Sequence, residues 1–114
     1  MKSDALTMTL LFDYYGDLLT EKQRAFFDLH YNQDLSLSEI AEDAGITRQG
    51  VHDTLARAET ILLNLESKTG CIARARETRA ALAEIRAAAR ELQSLPAAEA
   101  QAERILSAAD HIKE

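Results

Sequence analysis

Apolar residues along this chain return at intervals of three and four, and no segment alternates with period two over the length of a strand. Ala5, Met8, Leu11, Phe12 and Tyr15 fall on one helical stripe, and Gly16 follows where that helix can stop. Thr20 with Gln23 three positions on has the form of a capping box. Ala25, Phe26, Leu29 and His30 carry the second helix to the polar step Tyr31-Asn32-Gln33-Asp34. Ser36 with Glu39 repeats the box and opens a short helix through Ile40, Ala41 and Ala44, which Gly45 breaks. Thr47 can cap the next helix, whose apolar face runs through Val51, Leu55, Ala58, Leu62 and Leu65 to the stop at Thr69-Gly70.

From Cys71 the composition shifts to Ala, Arg, Glu and Leu. Cys71, Ala75, Thr78, Leu82, Ile85, Ala89 and Leu92 alternate steps of four and three, the pattern of a packed helical seam. Pro96 breaks this helix and pre-sets a last one, with Ala98, Ala102, Ile105, Leu106 and Ala109 as its apolar stripe. The pattern predicts an all-α protein with a helical domain over residues 1–70 and a helical extension over 71–114.

Composition supports this: 46% of the 114 residues are hydrophobic, with one proline and four glycines, which suits a folded helical chain rather than a disordered one. The single cysteine, Cys71, has no internal partner, and the expected setting is the reducing cytoplasm. No apolar run reaches the roughly 18 residues that span a bilayer, and the start MKSDALTMTLLFDYYGD places acids where a signal peptide keeps none.

Three residues in the middle of the chain carry the most specific signal. A helix-turn-helix needs a small residue where its helices cross, a glycine that turns the chain, and an apolar residue that locks the second helix over the first. Ala41, Gly45 and Val51 stand at those places, with Ile40, Ala44 and Ile46 beside them. The longer stretch LLTEKQRAFFDLHYNQDLSLSEIAEDAGITRQGVHDTLARAETIL resembles region four of the bacterial sigma factors, a resemblance that covers roughly residues 18–63. Together with LLFDYYGD upstream and an appended helical tail, it is similar to the YlxM family of small cytoplasmic proteins over residues 6–70.

That resemblance implies a sigma-region-four-like fold and a role in the signal recognition particle pathway, because such proteins are commonly encoded beside the particle's GTPase and its receptor. It implies no catalytic residues and no cofactor. One position departs from the sigma-like pattern: Thr54 stands where an aliphatic residue usually packs under the second helix.

Charge separates the shape from its usual use. Residues 1–70 hold six Lys/Arg against twelve Asp/Glu, whereas residues 71–114 hold seven of each. Proteins that grip DNA place cations on phosphates, and this motif offers few. Motif geometry turns Thr47, Arg48, Gln49 and His52 outward as candidate DNA contacts: Arg48 and Gln49 suit bases or phosphate, and Thr47 suits a phosphate at the helix start. Asp53 shares their face, Gly50 weakens the helix, and the preceding helix adds Glu39, Glu42 and Asp43 with no cation. Glu39, Glu42, Asp43 and Asp53 are therefore the candidate protein contacts, suited to a basic surface such as that of the particle's GTPase or its receptor. A DNA-binding transcription regulator is the alternative.

Arg74, Arg76, Arg79, Arg86 and Arg90 crowd the extension, but Glu77, Glu84 and Glu91 interleave with them, as on a solvated face with local ion pairs. The seam beside them favours a homodimer over packing back on the domain. His30, His52 and His111 lack companions at metal-ligand spacing, and Cys71 lacks a nearby histidine, so no metal site is expected. The aromatic residues Tyr14, Tyr15, Phe26, Phe27 and Tyr31 recur at helical intervals and are assigned mostly to the core. Without a phosphate-cradling glycine loop, serine elbow or catalytic carboxylate pair, an enzyme is not expected.

Overall fold

The computed structural model describes residues 4–113, which form six α-helices and, among the described residues, no strand. In order these are α1 (Ala5–Tyr15), α2 (Glu21–Phe27), α3 (Leu37–Ala44), α4 (Arg48–Thr69), α5 (Cys71–Gln93) and α6 (Glu99–Asp110), with a short 3₁₀ turn at Gly16–Leu18 and a wide π turn at Asp28–Asn32. The chain divides into two compact units, one ending at Gly70 and one beginning at Cys71. No described helix is long and apolar enough to cross a membrane.

Local hydrogen bonding explains the helix starts. Both capping boxes form: Thr20 accepts from the Gln23 N–H while the Gln23 side chain accepts from the Thr20 N–H, and Ser36 and Glu39 do the same for α3. The Thr47 hydroxyl accepts from the Gly50 N–H at 3.0 Å and caps α4. The ends follow the same logic. Gly45 and Gly70 take left-handed conformations, with φ of 70° and 63°. At the end of α3 the Ile46 N–H reaches back to the Ala41 carbonyl at 3.1 Å and the Gly45 N–H to the Glu42 carbonyl, a Schellman closure of the last turn.

In the first unit α4 packs against α1, α2 and α3, and buries Val51, Leu55, Ala58 and Leu62. Met8, Leu11 and Tyr15 from α1, Phe26 and Phe27 from α2, and Ile40 and Ala41 from α3 complete the core. Phe27 is fully buried at its centre, stacked on Phe12 at 4.8 Å and on Tyr31 at 4.5 Å between ring centroids. Tyr14 is a correction to the sequence reading. It is 42% exposed, because the α1 stripe facing the core passes through Met8, Leu11 and Tyr15 and leaves Tyr14 about 100° away.

The step after α2 is also more than a stop. Its last turn widens into a π turn at Asp28–Asn32, and Asp34 takes φ of 58°. Asp28 accepts from the side chains of Asn32 and Gln33 at 2.8 and 2.7 Å, and His30 Nδ1 lies 2.8 Å from the Leu35 carbonyl. These bonds give the wide turn's polar groups local partners.

The second unit is a helical hairpin of α5 and α6 joined through residues 94–98. Its seam is narrower than the sequence pattern suggests. Ile72, Leu82 and Ala89 are buried on α5, and Ala102 and Ala109 on α6, whereas Ile85 and Leu92 are exposed and Cys71 is half-buried. A single neighbouring helix covers only a narrow arc, and the alanines let the two axes come close. Arg86 departs from its expected place on the solvated face. It is largely covered and reaches α6, 3.4 Å from both the Asp110 carboxylate and the Ala109 carbonyl.

Candidate functional site: the outward face of the helix-turn-helix

The turn at Gly45 sets how α4 leaves α3, and two buried residues hold the crossing. Ile40 and Val51 are fully buried and Ala41 is nearly so, which places the motif's small and apolar residues inside and its polar residues outside. Thr54 fits this arrangement. It is half-buried, and its hydroxyl donates to the Gly50 carbonyl at 2.9 Å, so no polar atom is stranded where an aliphatic side chain would usually lie.

All eight candidate contact residues are on the surface: Glu39, Glu42 and Asp43 on α3, Thr47 at the cap, and Arg48, Gln49, His52 and Asp53 on the first turns of α4. Three of them come together. Gln49 donates to the Asp53 carboxylate at 2.9 Å, and His52 Nδ1 lies 3.5 Å from the same oxygen. Two side chains that could read a base edge are thus turned onto an acid of the same helix, and any DNA contact by Gln49 competes with that bond. Thr47 is likewise engaged, since its hydroxyl is the cap acceptor. Arg48 is exposed at the first position of α4.

On α3, Glu39 has a structural duty besides any contact. Its carboxylate accepts the Ser36 N–H at 2.9 Å, and that backbone bond, joined by the Ser36 side chain, holds its pKa below the usual glutamate value. Glu42 and Asp43 project from the last turn of α3. There they oppose the helix dipole and stay in solvent.

Beside this face lies a feature that sequence reasoning did not find. A cleft of about 480 Å³ opens between the π turn and α4, lined by His30, Tyr31, Leu37, His52, Leu55 and Glu59. Tyr31 donates to Glu59 at 2.8 Å across it. Burial, followed by that bond and the nearby carboxylate charge, raises the Tyr31 pKa above the ordinary phenol value. His52, Leu55 and Glu59 recur at three and four residues, so their shared face was legible, but the approach of Tyr31 depends on the π turn. A second tether was also missed. The buried Tyr15 donates to Glu66 at 2.6 Å and lies 2.7 Å from the Thr69 hydroxyl, tying the end of α1 to the last turns of α4. Among the described residues no three His, Cys, Asp or Glu side chains converge as metal ligands would.

Two capped helices crossing at Ala41 and Val51 around a left-handed glycine define a helix-turn-helix protein. Its relatives narrow the class. Residues 2–101 match the family UPF0122, "Putative helix-turn-helix protein, YlxM / p13 like", and the chain belongs to that family. It is similar to a UPF0122 protein of Desulforamulus reducens, 51% identical over 68% of this chain and 67% of the relative. A Thermoanaerobacter UPF0122 protein is 53% identical over 68% of this chain and 66% of its own length. One from Shouchella clausii is 39% identical over 92% of this chain and 96% of the relative.

Proposed function

We propose that this chain is a nonenzymatic, cytoplasmic accessory or regulatory protein of the signal recognition particle pathway, which docks its acidic helix-turn-helix face onto a basic surface of the particle's GTPase or its receptor. The resemblance to the YlxM family supplies the pathway. The observation that carries the mode of action is the Asp53 carboxylate at the start of α4, which engages Gln49 and His52 and places negative charge where a DNA reader would present donors. Glu42 and Asp43 extend that charge along α3 with no cation on the same helix. Such a face speeds encounter with a cationic protein surface and disfavours phosphates.

A second reading, duplex DNA held through Thr47, Arg48, Gln49 and His52, is favoured by the motif's geometry and by the exposure of Arg48. Titrating the purified protein against the GTPase and against duplex DNA at several salt concentrations separates the two. Charge reversal by Glu42→Lys with Asp43→Lys should weaken the GTPase complex and strengthen any DNA complex. Absence of a complex with the wild-type protein would end the docking reading. Sequence-specific DNA binding lost in Arg48→Ala would establish the other.

A further inference from the structure

In the α5–α6 hairpin the seam residues Leu82 and Ala89 face Ala102 and Ala109, and all four are buried. Three residues beyond each of them stand Ile85, Leu92, Ile105 and Ile112, which are 44%, 36%, 39% and 48% exposed. Ile112 lies just past α6, where its N–H donates to the Ala109 carbonyl three positions back in a 3₁₀-type closure, so Ile85, Leu92 and Ile105 are the ones in α-helical register. At 100° per residue, a step of three turns a side chain 60° from the seam. The two helices run in opposite directions, and the same step therefore swings both sets to one side of the hairpin. The reverse rotation carries Arg86 and Asp110, and these meet at 3.4 Å, as residues sharing the other side must. One side is thus ionic and the other apolar, with the exposed alanines Ala81, Ala88 and Ala108 between the larger residues.

The geometry points to this apolar side as the surface on which a second copy of the chain docks, making a four-helix bundle from two hairpins. Charge selects the occupant. Residues 71–114 hold seven Lys/Arg and seven Asp/Glu, so two hairpins meet without net repulsion. Shape agrees, because isoleucine and leucine ridges alternate with alanine hollows on both helices and can interdigitate with themselves. The patch is small, a few large apolar side chains with alanines between them, which indicates a weak, concentration-dependent association. This inference is independent of the partner proposed for the helix-turn-helix face.

Sedimentation velocity of the full chain from about 1 to about 100 μM tests it. The mass should move from 12.6 kDa toward twice that value as concentration rises. Ile85→Glu with Ile105→Glu should weaken association at least about tenfold, while Arg90→Ala, off the apolar side, should not. Helicity by circular dichroism checks that the variants fold. If the double glutamate variant loses helicity, Ile85→Ala with Ile105→Ala supplies the reading, and undiminished association there overturns the proposal. A wild-type chain that stays at 12.6 kDa throughout, or a folded glutamate variant that associates like wild type, overturns it as well.

Discussion

Gly45, in the turn that orients α4, and Gly50, in the first turn of α4, lie five positions apart, and the structure assigns them different responses to the same substitution. Gly45 holds φ of 70° and ψ of 30°, and a Cβ added there would meet nothing within 4 Å. Crowding therefore contributes nothing to Gly45→Ala. The whole cost is that of keeping an L side chain in the left-handed region, about 1 kcal/mol. Gly50 has helical backbone, where alanine would gain up to about 1 kcal/mol of helix propensity. Its Cβ, however, would sit 3.2 Å from Thr47 Oγ1 and 3.5 Å from Ile46 Cδ1. Thr47 Oγ1 is the atom that caps α4, so the gain is opposed by strain on a cap worth about 1 kcal/mol. In urea unfolding Gly45→Ala should lose about 1 kcal/mol, a fall of about 4–8 °C in Tm if the first unit melts cooperatively, and Gly50→Ala should change by less than about 0.5 kcal/mol. Asparagine tolerates the left-handed region, and Gly45→Asn should recover part of the loss. Were Gly45→Ala as stable as wild type, or Gly45→Asn worse than alanine, backbone strain at this turn would not be the controlling effect. A full 1 kcal/mol gain for Gly50→Ala would refute the crowding of the cap.

Tyr15→Phe removes the hydroxyl that bonds Glu66 and Thr69, and with Glu66 only half-exposed it should cost about 1–2 kcal/mol by denaturant unfolding; a cycle with Glu66→Ala, which removes the acceptor, showing no coupling would contradict that tether. Thr54→Val keeps the shape of a side chain whose hydroxyl serves only its own helix, and stability should change by less than about 0.5 kcal/mol. Asp28, bonded by Asn32 and Gln33, and Glu39, bonded by Ser36, both titrate below their ordinary values of 3.8 and 4.5. A lowered carboxylate pKa adds stability that is present above the unfolded value and lost as pH falls through the folded one. The first unit should therefore weaken below about pH 4.5, and Glu39→Gln should flatten part of that acid limb in a pH series of urea midpoints.

How much of this protein was written in its sequence depends on the range of the interaction. Helix starts and stops were legible because a cap is settled within four residues: Thr20, Ser36 and Thr47 each find their partner three positions on, and Gly45 and Gly70 turn the chain where an L side chain would strain. The helix-turn-helix followed from Ala41, Gly45 and Val51 for the same reason, as did the surface placement of the eight candidate contacts. The Gln49–Asp53 bond, at i and i+4, belongs to that readable class although its consequence, two candidate base readers turned onto an acid, needed the geometry.

Longer-range choices were decided only by the tertiary structure. Periodicity could not say which of two adjacent stripes on α5 would be covered, because Leu82 and Ile85 are equally apolar and differ only in which lies under α6. It could not pair Arg86 with Asp110, Tyr31 with Glu59 or Tyr15 with Glu66, since each pair joins separate elements whose approach is set by packing. Local hydrogen bonds determine where helices begin and end, whereas burial is shared among elements and becomes definite only when they meet.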